Sequence, residues 1–221
     1  MKTKPYVTRH TDGPLRYIET VPHAHEPAEL LPLVVGLHGR GSNSDDLAGV
    51  ASSIDFGSGY RFVFPDAPRK FSYGGYSWFD GWPANHDSLI SSRTVLIEFI
   101  ETLRNRYETP DGKLAILGFS QGGLMAIDAG FRLEKPPAAI IVMSGGIYED
   151  DLPDVRSRKD QKTLIVHGLY DDVIPVNLAR KARRILEEHG LEPEYEEFPM
   201  GHWVTAESMR RVGEFLKNNL G

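Results

Sequence analysis

The sequence predicts an α/β fold, a mostly parallel central sheet with helices on both faces. Two observations carry that prediction. Short apolar runs rich in β-branched or aromatic residues occur at 33–37, 60–64, 113–117, 139–143 and 163–166. They are too short for helices and too continuous for half-solvated strands, so they read as buried strands. Between them lie helical patterns, with apolar residues three and four apart and charges on the other faces. Strands alternating with helices imply a parallel sheet covered on both sides.

Taken in chain order, residues 6–9 and 15–20 flank the turn signal Thr11-Asp12-Gly13-Pro14 and read as an antiparallel hairpin at one sheet edge. The run 33–37 leads into His38-Gly39-Arg40-Gly41-Ser42, a glycine-rich loop. After 60–64 comes PDAPRKFSYGGYSWFDGWPANHD, residues 65–87, longer than loops inside a domain usually are. Its aromatics Phe71, Tyr73, Tyr76, Trp78, Phe79 and Trp82 argue against disorder and favour an apolar wall for a ligand. The plainer alternative is a surface loop pinned to the body by those rings. Leu96, Phe99, Ile100 and Leu103 mark a helix, as Leu178, Ala182, Ile185 and Leu186 nearly do. Met209, Val212, Phe215, Leu216 and Leu220 mark the last one.

A chain of 221 residues suits one domain, 1–221, with a substantial core. Its 25 basic and 31 acidic side chains give a net charge of −6 without a long block of either sign. That balance argues against nucleic acid or an anionic membrane as the main partner. The opening MKTKPYVTRHTDG lacks the apolar segment of a signal peptide, and no stretch reaches the roughly 18 apolar residues of a spanning helix. The expectation is a cytoplasmic protein without stable membrane insertion; a homodimer is left open. The absence of cysteine excludes disulfides, thiolate metal sites and a cysteine nucleophile.

Chemistry enters at residues 118–123, GFSQGG, where a strand-like run becomes a helix-like one. In a GxSxG turn the serine sits on a sharp, strained strand-to-helix junction, and small residues two before and two after let the backbones approach. Gly118 and Gly122 take those places, and Ser120 becomes the candidate nucleophile. A serine needs a base and an orienting acid, expected downstream in the order acid, then histidine. Asp171 and Asp172 follow the strand at 163–166, and His202 precedes the last helix. Of eight histidines, His10, His23, His25, His86 and His189 read as ordinary surface residues. His23-Ala24-His25-Glu26 lacks further ligands at metal-binding spacing. His38 and His167 each end a strand in a His-Gly pair and read as loop braces. His202 alone follows the acid and keeps the role of base.

Acyl transfer also needs backbone N–H groups aimed at the developing oxyanion. Gln121, directly after the serine, supplies one, and Arg40 in the loop after 33–37 supplies the other through its main chain. The Arg40 side chain is either a solvated surface arginine or a guide for acidic substrates. Trp78, Phe79 and Trp203, with Met143 and Ile147 nearby, are the candidate pocket residues.

LHGRGS, FPDAP, SWFD, GFSQGG, MSGG, HGLYDDVIP and GHWV, in this order and spacing, resemble the phospholipase/carboxylesterase branch of the α/β-hydrolases. The resemblance runs from about Leu30 to the end. It implies an α/β-hydrolase fold without a large cap domain, no cofactor, and a small-molecule ester substrate. It places the nucleophile on Ser120, the base on His202, the acid on Asp171 and the oxyanion amides on Gln121 and Arg40. Two positions depart from the pattern. Asp172 stands where such relatives commonly have proline, and Arg40 stands where acyl-protein thioesterases usually carry an apolar residue, which counts against a long-chain protein-lipid substrate. The leading expectation is a small-substrate carboxylesterase working through an acyl-enzyme. An acyl thioesterase or lysophospholipase would share the machinery, and a non-catalytic binding module is the reading outside enzymology.

Overall fold

The computed structural model describes residues 5–22, 30–52, 59–81 and 83–221. Trp82 and the His23, His25, Glu26 stretch lie outside the described residues. Among the described residues, the strands are β1 (Tyr6–His10), β2 (Tyr17–Val21), β3 (Leu33–Leu37), β4 (Arg61–Pro65), β5 (Arg69–Lys70), β6 (Tyr76–Ser77), β7 (Leu114–Phe119), β8 (Ala139–Met143), β9 (Thr163–Gly168) and β10 (Glu194–Phe198). The helices are α1 (Ser44–Ser52), α2 (His86–Arg106), α3 (Gln121–Gly130), α4 (Val176–Glu188) and α5 (Ala206–Leu220).

Eight strands form one sheet in the order β1-β2-β4-β3-β7-β8-β9-β10. The hairpin β1–β2 and the pairing of β2 with β4 are antiparallel; every other neighbouring pair is parallel. The central strands β3, β7, β8 and β9 are buried almost along their whole length because helices cover both faces. On one face, Leu96, Phe99 and Ile100 of α2, residues 124–127 and Ala129 of α3, and Ala179, Ala182 and Leu186 of α4 share a core with Leu33, Val35 and Ile116. On the other, Met209, Val212, Phe215, Leu216 and Leu220 of α5 pack on Val34, Leu117, Ile141 and Val166.

Three details differ from the sequence expectation. The α4 stripe runs through Ala179, with Leu178 only half-buried. The 65–87 connection folds part of itself into the hairpin β5–β6 and ends in the first turn of α2. Helix α1 has no strong periodic signal in its sequence and was not expected.

Register positions the site. Leu37 of β3 pairs with Gly118 of β7, and Phe119 of β7 pairs with Met143 of β8. The carboxyl ends of β3, β7 and β9 therefore bring the loops bearing Arg40, Ser120 and Asp171 to one edge of the sheet, where open α/β sheets place their sites.

Candidate active site

Ser120 stands between β7 and α3 with φ 56° and ψ −120°, a region that costs an ordinary residue about 1–3 kcal/mol. The surroundings impose it. Its N–H donates to Met143 O at 2.9 Å, and its own carbonyl accepts from Gly123 N at 3.0 Å. A Cβ on Gly118 would lie 2.0 Å from Gly122 O, and one on Gly122 would lie 2.1 Å from Leu37 O. Both contacts are with backbone that cannot yield, so the turn exists only with glycine at these positions. Gly123 is tight as well, 3.1 Å from Gly118 O and from a Val142 methyl, which is the close helix packing its sequence position implies.

The hydroxyl thus projected meets His202: Ser120 Oγ lies 3.0 Å from His202 Nε2. His202 Nδ1 lies 2.8 Å from Asp171 Oδ2. A carboxylate can only accept, so Nδ1 carries the proton and Nε2 is left to accept from the serine. The Asp171 side chain has 0% exposure. Its second oxygen, Oδ1, accepts from Val173 N at 3.0 Å and Ile174 N at 2.8 Å. Burial by itself would raise the Asp171 carboxyl, but the hydrogen bonds from His202, Ile174 and Val173 outweigh it and hold the group below the usual carboxylate range. Asp172, next in the chain, is exposed. Of the two aspartates, it is Asp171 that meets the histidine.

Both strand-ending histidines are braces. His38 Nε2 accepts from Ala67 N at 3.0 Å, so its Nδ1 donates to Gly39 O at 2.7 Å. His167 Nε2 donates to Ile174 O at 2.7 Å and lies 3.4 Å from Asp171 Oδ2. Burial pushes both imidazoles below their ordinary range despite those carbonyls and the nearby carboxylates, so they are neutral at pH 7. His10 is not the plain surface residue its sequence position suggested. It is largely buried, bonded to Glu19 at 2.8 Å and stacked on Tyr17 at 4.4 Å.

Arg40 and Gln121 flank Ser120 from the other side, and both border a cavity with it. Among the described residues, neither main-chain N–H has a hydrogen-bond acceptor. The Gln121 side chain, unassigned by the sequence, clamps the segment after β6. Its Oε1 accepts from Trp78 N at 3.0 Å and Ser77 Oγ at 3.1 Å, and its Nε2 donates to Phe79 O at 2.9 Å. Trp78 Nε1 in turn donates to His38 O at 2.9 Å. One buried segment, 77–79, therefore ties the loop bearing Arg40 to the start of α3. A glutamine directly after the serine was the available signal, because a long amide at a buried helix start needs partners on every polar atom.

Two cavities open beside the hydroxyl. One, about 440 Å³, is bordered mainly by apolar side chains: Leu47, Phe64, Leu117, Phe119, Met143 and Trp203. The other, about 360 Å³, lies against Gln121, Leu124, Gly145, Gly146, Val173 and Ile174. Ser120, His202 and Arg40 border both. Met143 and Trp203, the latter 58% exposed, stand where the pocket was expected. Trp78 and Phe79 do not: both are 0% exposed in the core and border neither cavity, tying the loop bearing Arg40 to the start of α3 instead. Ile147 packs half-buried against the same core and borders neither cavity. No cluster of histidine and carboxylate groups among the described residues is placed to hold a metal ion, and no described helix is long and apolar enough to cross a membrane.

The phospholipase/carboxylesterase family model matches residues 18–220. The chain belongs to that family. It is an α/β-hydrolase of the carboxylesterase and thioesterase type. The solved structure of esterase PE8 is 28% identical, covers 85% of this chain and 92% of its own, and superposes with a TM-score of 0.74. A carboxylesterase from Mesorhizobium loti, 17% identical, covers 97% of this chain and 99% of its own with a TM-score of 0.82. Acyl-protein thioesterase 2 from Zea mays, 20% identical, covers 93% and 99% with a TM-score of 0.69. At such identities the last two speak for the fold alone.

Proposed function

We propose that this protein hydrolyses carboxylic esters of small molecules through an acyl-enzyme formed on Ser120. What carries the reading is the continuous hydrogen-bonded chain from Ser120 Oγ through His202 to Asp171, at 3.0 Å and 2.8 Å. His202 Nε2 takes the hydroxyl proton as Oγ bonds to the ester carbonyl carbon, and Asp171 stabilises the imidazolium that forms. The carbonyl oxygen becomes anionic between the N–H groups of Gln121 and Arg40, which have no competing acceptor among the described residues. His202 returns the proton to the departing alkoxide, which leaves as the alcohol. Water, deprotonated by the same nitrogen, then attacks the acyl carbon, releasing the carboxylic acid and restoring Ser120. No cofactor is needed for these steps.

Removing the nucleophile tests the reading. Ser120→Ala should fold with an unchanged circular dichroism spectrum and lose kcat on aryl acetates by about four to six orders of magnitude. Turnover at the wild-type rate would contradict the proposal. A series of esters and thioesters of increasing acyl length would distinguish a carboxylesterase from a thioesterase or lysophospholipase, since all three use the same chemistry at Ser120.

A further inference from the structure

Arg40 has an exposed side chain whose position the oxyanion role does not explain. Its guanidinium carbon lies 4.7 Å from the centroid of the Phe71 ring. Phe71 belongs to the β5–β6 hairpin, which is closed by hydrogen bonds from Phe71 N to Gly75 O and from Gly74 N to Phe71 O, each at 3.0 Å. That hairpin is fastened to the oxyanion loop by Gly41 N to Tyr76 O and Tyr76 N to Ser42 O, each at 2.8 Å. The approach is at backbone contact: a Cβ on Gly75 would fall 2.2 Å from Gly41 O. The ring beneath Arg40 is therefore held in place.

A guanidinium held over a ring by a cation–π contact keeps N–H donors that can grip a carboxylate with two hydrogen bonds. Neighbouring arginines have spent theirs: Arg16 pairs with Asp66, and Arg69 pairs with Asp80. Among the described residues, no carboxylate pairs with Arg40. The two cavities it borders differ in their borders. The larger one is mainly apolar and has Asp46 on its border, whereas the described residues around the smaller include no acidic side chain.

We propose that the Arg40 side chain is a specificity determinant, and that the preferred substrate is an ester with one apolar arm in the larger cavity and one carboxylate-bearing arm in the smaller. The carboxylate binds the Arg40 guanidinium while the Arg40 main-chain N–H receives the oxyanion. This deepens the esterase reading and rests on it. It also gives the net charge of −6 a local exception at the mouth of the site.

The test compares kcat/KM within two pairs of esters: para-acetoxybenzoate with its neutral methyl ester, and monomethyl adipate with dimethyl adipate. The pairs place the carboxylate on the alcohol arm or the acyl arm. Within a pair, any effect of a variant on the oxyanion amide cancels in the ratio. In at least one pair the wild type should prefer the anionic ester by about tenfold, the value of one charge-assisted contact at a partly solvated site. In that pair Arg40→Gln should remove the preference, Arg40→Lys should keep part of it, and added salt should shrink it. No preference in either pair, or a preference that survives Arg40→Gln, overturns the assignment to Arg40 while cleavage of the neutral esters upholds the esterase reading. If no ester is cleaved and a fluorophosphonate leaves Ser120 unlabelled, the esterase reading itself fails, and this inference with it.

Discussion

The loops after β3 and β9 begin alike and end differently. Each opens with a His-Gly pair whose histidine is buried, neutral and bonded to main chain of its own or an adjoining loop. On the proposed mechanism, the loop at 38–42 offers the site a main-chain N–H, that of Arg40. The loop at 167–174 offers a side chain, the Asp171 carboxylate. A role carried by the main chain leaves its side chain free to vary, and the side chain of Arg40 is exposed, resting over the Phe71 ring. A role carried by a carboxylate fixes the residue type, and Asp171 is held by three hydrogen bonds with nothing spare. Similar scaffolds thus place very different demands on sequence.

The sharpest way to break this contrast is at the carboxylate. Asp171→Asn keeps the shape but favours the wrong His202 tautomer, and kcat on an aryl acetate should fall by about 10⁴-fold. Asp172→Asn, one residue away on the surface, should change it by no more than about twofold. Equal losses at the two positions would mean that the loop, not the carboxylate, matters. A smaller effect separates the braces from ordinary histidines. His38→Leu leaves Ala67 N without its acceptor, and His167→Leu leaves Ile174 O without its donor, so each should lower unfolding free energy by about 1–3 kcal/mol in denaturant titrations. His86→Leu, away from both loops and losing only a partly solvated bond to Tyr148 OH, should cost less, under about 1 kcal/mol.

The smallest effect is in pH. His38 faces Asp66 and Asp46, and His167 faces Asp171, His202 and Glu197, yet burial keeps both below the ordinary value of 6.5. The unfolded chain takes up protons near pH 6.5 while the folded one does not. Stability is therefore full above that pH and declines as pH falls toward the depressed folded values. Thermal melts should show this decline, and His38→Leu should flatten part of it; a slope unchanged in that variant would exclude His38 as a contributor.

Much of the fold was legible because buried strands leave continuous apolar runs, and the antiparallel edge hairpin showed in its turn residues. GFSQGG was legible for a different reason: Gly118 and Gly122 are required by backbone contacts near 2 Å, so the sequence records the geometry directly. Aromatics in an irregular loop carry no such record. Trp78 and Phe79 could have pointed into the pocket or the core, and no period distinguishes the two, whereas Trp203 did reach the cavity border. Helix α3 is buried all round, which hides the amphipathic signal that marks α2 and α5. A glutamine directly after the serine signalled that its amide needs partners, but which residues supply them was out of reach because the 77–79 segment is some forty residues away in the chain.

If His202 activates Ser120 by the hydrogen bond between them, the reactivity of the serine must depend on the imidazole. A fluorophosphonate probe followed by peptide mass spectrometry tests it most directly. One label per chain is expected, on Ser120, formed rapidly by the native protein and slowed by at least about a thousandfold in His202→Ala. Label elsewhere, or Ser120 labelled as fast without His202 as with it, would contradict it.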